Sequence, residues 1–377
     1  MPKPHIVLIV GTRPEAIKVA PIALELRRYS DRLDTTLLST GQHQEMLYQA
    51  LAAFGLKPDK DLAIMQHGQT LAEVTSRALS GIDSALSALE PSMVIAQGDT
   101  TTTFASSLAA FYRRIPFAHV EAGLRTDTID NPFPEEFNRR AAGLISKMHL
   151  APTRWAFDNL LKEGKDPATI SITGNTGIDA VRLAAEVSPD EWFPEHAGRV
   201  VLLTTHRREN WGEPQVAIAR AAKRLVEEFE DVLLVVPMHK NPSVRETLES
   251  VLADQTRIRL VEPPDYAPFV KLMQRSALIL SDSGGVQEEA PAFGIPVLVL
   301  RTTTERPEGV EAGTAKLVGT DEEEIYRNAR ILLGNSAAYE AMAKAVSPYG
   351  DGKASSRIRY IIAKELGVDT PQEPMWE

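Results

Sequence analysis

The chain of 377 residues contains no cysteine. That excludes disulfides, thiolate zinc sites and cysteine nucleophiles, and it suits a reducing compartment. Positive charge is in deficit: 41 Lys and Arg face 51 Asp and Glu, for a formal net charge of −10. Such a balance argues against a nucleic-acid surface and against binding to anionic membranes. Any anionic ligand must then be met by local clusters of basic side chains. Long apolar runs are also missing. The N-terminal run, residues 6–10, is too short for a signal-peptide core or a membrane span, so a cytoplasmic protein is expected. No Walker loop occurs, and the nearest thing to a dinucleotide fingerprint, Gly350-Asp351-Gly352-Lys353-Ala354-Ser355, lacks the third glycine and a preceding strand. The histidines show no His-Glu-x-x-His or other paired spacing, which argues against a metal site.

What remains is globular. Hydrophobic content of 43% and charged content of 24% are ordinary values, and the length suits about two domains. Apolar runs of four to six residues alternate with helical segments in both halves, at 6–10, 35–39, 93–96, 116–120, 148–150 and 170–172, then at 200–204, 232–236, 258–261, 278–280 and 297–300. Continuous β-branched runs between helices predict parallel sheets buried on both faces. The fold class is therefore α/β, with two doubly wound Rossmann-like domains and ligand sites beyond the carboxyl ends of the strands. Gly174-Asn175-Thr176-Gly177 interrupts the pattern, giving an N-terminal domain over 1–175 and a second over 176–352. A final helix, about 355–366, is expected to cross back to the first domain, and a tail over 369–377, with two prolines, to be loose.

One segment points to phosphate. The apolar run 278–280 ends in Ser281-Asp282-Ser283-Gly284-Gly285, and a helix follows whose first turns carry Gln287, Glu288 and Glu289. Ser283 and the adjacent glycines present backbone N–H groups at the positive end of a helix, which suits a phosphate. Carboxylates further along would repel phosphate but suit ribose hydroxyls. Other strand ends are equally unusual. Arg13 and Lys18 follow the first run, Asp99 the run at 93–96, and Glu121 the run at 116–120, with Glu135 beyond Pro134. In the second half, His206 and Arg207 follow 200–204, His239 follows 232–236, and Arg306 follows 297–300. One half supplies three carboxylates, and the other supplies a phosphate-type helix start with basic groups.

In combination these motifs resemble those of a known family. Gly11-Thr12-Arg13-Pro14-Glu15, Thr40-Gly41-Gln42-His43, Gln97-Gly98-Asp99-Thr100, His119-Val120-Glu121-Ala122-Gly123-Leu124-Arg125, Pro134-Glu135-Glu136-x-Asn138-Arg139, His206-Arg207-Arg208-Glu209, Asp282-Ser283-Gly284-Gly285-x-Gln287-Glu288-Glu289 and Thr304-Glu305-Arg306-Pro307-Glu308 closely resemble the bacterial non-hydrolysing UDP-N-acetylglucosamine 2-epimerases, in order from about residue 6 to 366. The resemblance implies a GT-B arrangement, two Rossmann-like domains facing across a cleft. It also implies interconversion of UDP-N-acetylglucosamine and UDP-N-acetylmannosamine, no redox cofactor, a homodimer, and supply of cell-surface polysaccharide precursors. By the same resemblance Asp99, Glu121 and Glu135 match the catalytic carboxylates, Glu289 would hold the ribose, Phe269 would lie by the uracil, and Arg306 would contact the diphosphate. Gln42, His43, Arg207 and His239 match parts of a second, activating site. Glu45 and Gly68, however, stand where strongly regulated members carry Gln and Arg.

The chemistry explains such an inventory. The C2 hydrogen of the aminosugar is next to no carbonyl, so direct deprotonation is too costly, and no nicotinamide motif supports transient oxidation. Elimination remains: UDP leaves C1, C2 loses its proton to give a glycal, and both steps reverse on the other face. Arg13, His206 and the Ser283/Gly284 helix start could neutralise the departing phosphate, and a carboxylate cluster could carry the protons. The runner-up is a GT-B glycosyltransferase, which would need an acceptor cleft and usually one base. A catalytically idle sensor of UDP-sugars would be expected to lack the three carboxylates.

Overall fold

The computed structural model describes residues 2–41, 44–66, 68–126, 128–253, 255–304 and 306–376. It divides into two compact units, residues 1–183 with 349–377 and residues 184–348. In the first unit the chain runs β1 (His5–Val10), α1 (Arg13–Arg27), β2 (Asp34–Ser39), α2 (Gln44–Ala52), β3 (Lys60–Asp61), α3 (Leu71–Leu89), β4 (Met93–Gln97), α4 (Thr101–Tyr112), β5 (Phe117–Val120), α5 (Glu135–Ile145), β6 (Met148–Ala151), α6 (Arg154–Lys162), β7 (Ile170–Ile172) and α7 (Thr176–Val187). The strands form one sheet in the order β3-β2-β1-β4-β5-β6-β7, with every pairing parallel. The second unit holds β8 (Arg199–Thr204), α8 (Glu213–Glu228), β9 (Val232–Pro237), α9 (Pro242–Leu252), β10 (Ile258–Val261), α10 (Tyr266–Arg275), β11 (Ser276–Ser281), α11 (Gly284–Glu289), β12 (Val297–Val299), α12 (Pro307–Glu311), β13 (Ala315–Leu317), α13 (Glu322–Gly334) and α14 (Ser336–Ala343). Its parallel sheet has the order β10-β9-β8-β11-β12-β13. Both units are thus Rossmann-like.

The apolar runs become strands because helices cover both faces. Ile6 to Val10 and Leu278 to Leu280 are fully buried, which removes the need for alternation. The helices are specified locally. In α3, Thr70 and Glu73 form a reciprocal capping box, Glu90 closes the helix in a left-handed turn, and Val74, Ala78, Ile82, Ala85 and Leu86 make the buried stripe. Truncating fully buried Ile82 to Ala would cost about 2–5 kcal/mol. The edge strands β3 and β13 carry no sequence signal, being two and three residues long.

The passage between units falls within α7 and again after residue 348, rather than at 174–177. The last helix, α15 (Ala354–Glu365), belongs to the first unit. The N–H groups of its first turn, which have no partner within the helix, are capped from α7: Asp179 accepts from Ala354 N at 3.1 Å, Ser355 N at 2.8 Å and Ser355 Oγ at 2.5 Å. Arg359 pairs with Glu25 of α1 at 3.3 Å.

The tail corrects an expectation. It is docked rather than loose, because arginines donate to its carbonyls. Arg32 Nη1 reaches Asp369 O at 2.6 Å, Arg357 and Arg359 reach Pro374 O and Pro371 O, and Lys353 pairs with Glu373 at 2.7 Å. Prolines that give up a backbone donor leave their acceptors available to such partners.

Candidate active site

Each sheet reverses its winding direction once, between β1 and β4 in the first unit and between β8 and β11 in the second. Open α/β sheets bind ligands in the crevice at such a point. Several of the residues singled out from sequence stand at these points. In the first unit, the turn after β1 brings Gly11, Thr12 and Arg13, and the turn after β4 brings Gly98, Asp99 and Thr100. One carboxylate ties the two turns together. Glu15, 2% exposed, accepts from Gly11 N at 2.8 Å, Thr12 N at 2.7 Å and Thr12 Oγ1 at 3.1 Å. It also accepts from Thr103 Oγ1 at 3.2 Å and from Thr100 Oγ1. Burial pushes its carboxyl above the usual range, opposed by those hydrogen bonds. Packing here leaves no slack: a Cβ on Gly11 would come within 2.1 Å of Thr102 Oγ1.

Next to this knot stand Asp99 and Glu121, while Glu135 opens α5, the helix whose Asn138 and Arg139 hold Asp99. Glu121 directly follows β5 at φ +62°, a left-handed conformation unusual for a residue with a Cβ and costing of order 1–3 kcal/mol. Lys18 Nζ and Gln97 Nε2 each donate to one of its carboxylate oxygens. Asp99 pairs with Arg139 of α5, and its carbonyl accepts from Asn138 Nδ2 at 2.9 Å. Arg139 is aimed by fully buried Glu136, which takes Arg139 Nη1 at 3.1 Å, Arg140 Nε at 2.6 Å and Thr126 N at 3.2 Å. Glu135, half-buried at the first position of α5, makes no side-chain hydrogen bond or ion pair among the described residues. Asp99 and Glu121, beyond the carboxyl ends of neighbouring strands β4 and β5, and Glu135, opening α5, thus have three environments: arginine-paired, lysine-paired and, among the described residues, unpaired. Arg13 is half-buried and likewise makes no side-chain hydrogen bond or ion pair among the described residues, so its guanidinium is uncommitted.

Beneath them lie two neutral histidines. His119 Nε2 donates to Gly98 O at 2.7 Å, and its Nδ1 is buried with no partner. Burial, with Arg125 and Arg139 nearby, holds its imidazole down at about 4. His149, its neighbour across the β5–β6 pairing, is held at about 4 by burial and by His119.

In the second unit the turns after β8 and β11 are joined by Asp282, whose side chain is fully buried. It accepts from His206 Nδ1 at 2.9 Å, Arg207 N at 3.0 Å, Thr205 Oγ1 at 3.1 Å and Asn210 Nδ2 at 2.9 Å. The Asp282 carboxylate is thus an anion of the protein itself held against His206. His239 lies against the His206 ring, with centroids 6.4 Å apart and planes at 24°, so Arg207, His206 and His239 are neighbours. Gln42 and His43 lie outside the described residues.

Around α11 the carboxylates divide. Glu288, nearly buried, accepts from Arg306 Nε at 2.8 Å. Glu289, half-buried, accepts from Tyr266 OH at 3.4 Å. Arg306 lies over the helix start so closely that a Cβ on Gly284 would sit 3.1 Å from its Cζ. Ser283 is half-buried beside it, and Thr304 Oγ1 donates to Gln287 Oε1 at 2.8 Å. Phe269 is half-buried in the first turn of α10, the turn whose Tyr266 meets Glu289.

Sequence reasoning gave no role to Glu15, Gln97, Glu136, Arg139 or Asp282. For Glu136 a signal existed, since Arg139 and Arg140 stand three and four residues on, the spacing of helical ion pairs. Asp282 had none, because its partners lie over 70 positions away.

Comparison with known proteins agrees with this arrangement. Residues 24–363 match the family model described as UDP-N-acetylglucosamine 2-epimerase. A UDP-N-acetylglucosamine 2-epimerase from Bacillus subtilis (strain 168) is 52% identical over 360 residues, 95% of this chain and 94% of the relative. The crystal structure of a putative UDP-N-acetylglucosamine 2-epimerase from Listeria monocytogenes superposes with a TM-score of 0.92 at 47% identity, covering 99% of this chain and 100% of that one. A UDP-GlcNAc 2-epimerase from Neisseria meningitidis, solved bound to UDP-GlcNAc, gives 0.84 at 44% identity over 96% and 99%. The two Rossmann-like units are those of the GT-B type, and the chain belongs to the UDP-N-acetylglucosamine 2-epimerase family.

Proposed function

We propose that this chain reversibly epimerises UDP-N-acetylglucosamine at C2, giving UDP-N-acetylmannosamine, by elimination and re-addition of UDP. The C1–O bond breaks and its electron pair leaves with the β-phosphate. The C2 proton passes to an enzyme carboxylate, and a C1=C2 double bond forms. Return of a proton to the opposite face of C2, with UDP rejoining C1, completes the exchange. The observation that carries this reading is the placement of Asp99 and Glu121 after neighbouring strands β4 and β5, with Glu135 opening α5, in three electrostatic environments. Proton delivery to two faces needs acid and base groups that differ in basicity and position. Arg13, His206, Arg306 and the Ser283/Gly284 turn would take the diphosphate, Glu289 the ribose and Phe269 the uracil. Lys18, paired with Glu121, would order that carboxylate while facing the leaving group. The Neisseria relative solved with UDP-GlcNAc supports the substrate.

The same reading makes the chain a cytoplasmic homodimer that supplies precursors for cell-surface polysaccharide. A surface suited to self-association exists on the first unit. Phe111 and Tyr112 of α4, and Phe137 and Leu144 of α5, are 46–76% exposed. The helices are neighbours, with the Phe104 and Phe137 rings 5.6 Å apart. Exposed apolar clusters of this kind mark interaction sites.

The deciding experiment is incubation with UDP-N-acetylglucosamine alone in D₂O, followed by proton NMR of C2–H. Elimination through a solvent-exchanging group should place deuterium at C2 of both epimers, with no nicotinamide or acceptor added. A glycosyltransferase would leave C2–H untouched. Retained protium in an epimerised product would overturn the solvent-exchange route.

A further inference from the structure

We propose that Asp282 is the positioning residue for His206, fixing its imidazole with the Nδ1 proton inward and Nε2 presented outward. The proposal rests on the reading that His206 serves the diphosphate. The placement begins in the sheet. Thr204 and Ser281 end neighbouring strands, and their hydroxyls lie 2.7 Å apart. Thr205 and Asp282 therefore leave the sheet side by side, with Asp282 N on Thr204 O at 3.3 Å.

The two carboxylate oxygens of Asp282 are not equivalent. Oδ2 accepts from His206 N at 2.9 Å, Arg207 N at 3.0 Å, Asn210 Nδ2 at 2.9 Å and Thr205 Oγ1 at 3.1 Å. Oδ1 faces His206 Nδ1 at 2.9 Å, with His206 N at a longer 3.2 Å. Burial opposes ionisation of this carboxyl, but the hydrogen bond and charge of His206 and the backbone N–H groups of Arg207 and His206 outweigh it and hold it below its usual range. An ionised carboxylate offers only acceptors, so the nitrogen facing it must be a donor. Nδ1 of His206 carries a proton in both charge states.

The imidazole edge with Nε2 belongs to a side chain 43% exposed, and Nε2 makes no hydrogen bond among the described residues. Among the described residues the other groups near the ring are His239, stacked at 6.4 Å, and Trp211, whose Nε1 donates to the His206 carbonyl at 3.3 Å. Neither contends for Nε2. In the imidazolium form Nε2–H can donate to a phosphoryl oxygen gaining charge as the C1–O bond breaks, with Asp282 stabilising the cation behind it. The arrangement has the logic of a carboxylate-oriented histidine.

The asymmetry of the oxygens makes Asp282→Asn a sharp test. Four donors converge on Oδ2, so the amide oxygen of Asn must take that place and its NH₂ must take the place of Oδ1. It would then donate to Nδ1 and force the neutral ring into the Nε2–H tautomer. The experiment is nitrogen NMR of ¹⁵N-histidine-labelled full-length protein in alkaline buffer, with His206 assigned from its loss in His206→Asn. Wild type should show a pyrrole-like Nδ1 and a pyridine-like Nε2, and Asp282→Asn should show the reverse. kcat should fall at least about a hundredfold in Asp282→Asn while UDP affinity stays within about threefold. A wild-type Nε2–H tautomer would overturn the proposal without reference to any variant. A flipped tautomer with wild-type kcat would overturn the role of Asp282 alone, and wild-type kcat in His206→Asn would overturn the reading of His206 on which the proposal rests.

Discussion

Lowering the pH from about 7 to about 5 should remove about 2 kcal/mol from the stability of the first unit through His119 alone. The folded imidazole protonates only at about 4 against an ordinary 6.5, whereas the unfolded chain binds the proton near the ordinary value. The unfolded state therefore takes up the proton first. This contribution is present above the unfolded value and is lost as pH falls from there toward the folded one. Complete protonation would be worth about 3 kcal/mol, the product of the shift and about 1.4 kcal/mol per unit. No discount for solvent applies, because His119 is 1% exposed. Glu15 and Asp179, whose carboxyls are pushed up by burial, act in the opposite sense over the acid part of this range. The measurement must therefore be a difference. Urea unfolding of wild type and His119→Gln, followed through hydrogen exchange of β4 and β5 amides, should converge in stability by about 2 kcal/mol between pH 7 and pH 5. Gln keeps a donor for Gly98 O but does not titrate. Parallel losses in the two proteins would refute the assignment of this acid sensitivity to His119.

Glu15→Ala should destabilise the first unit by about 2–4 kcal/mol in urea, because the Gly11 and Thr12 amides lose a buried acceptor. Deleting residues 369–377 should lower the calorimetric Tm of the first unit by a few degrees, since Arg357 and Arg359 lose carbonyl partners. Phe111→Glu combined with Leu144→Glu should give a monomer in sedimentation velocity with unchanged circular dichroism. Glu121→Gln should slow C2 deuterium exchange by about two orders of magnitude or more while leaving UDP affinity within about threefold, as calorimetry would read.

The strands were legible because a buried parallel sheet needs uninterrupted apolar runs, and runs such as Ile6 to Val10 have no other use in a chain of this composition. The neighbourhood of Asp99 and Glu121 was legible for a related reason, since Glu121 directly follows such a run and Asp99 stands three residues beyond one. Edge strand β3 was not, because Lys60 and Asp61 join the sheet by backbone pairing with β2 rather than by burying side chains. Nor was the docking of the tail, which depends on Arg357 and Arg359 being aimed from a helix whose own placement is tertiary. Asp282 shows the same limit most clearly. Its neighbours Ser281 and Ser283 suggest a turn, but its partner His206 is set by strand order, which no local pattern encodes.

The capping of α15 by Asp179 has a consequence for the order in which the molecule can be made. The first unit is discontinuous, and its final helix is synthesised only after all of residues 184–348. Until then Asp179 is a buried-type carboxylate with no amides to receive, and Glu25 lacks Arg359. The second unit, by contrast, is one uninterrupted stretch and can complete its sheet during synthesis. The unit that folds last is thus the one that begins first, and Asp99, Glu121 and Glu135 wait on a scaffold closed by α15. Slow steps and chaperone dependence should fall on the first unit, where contacts span the greatest sequence separation.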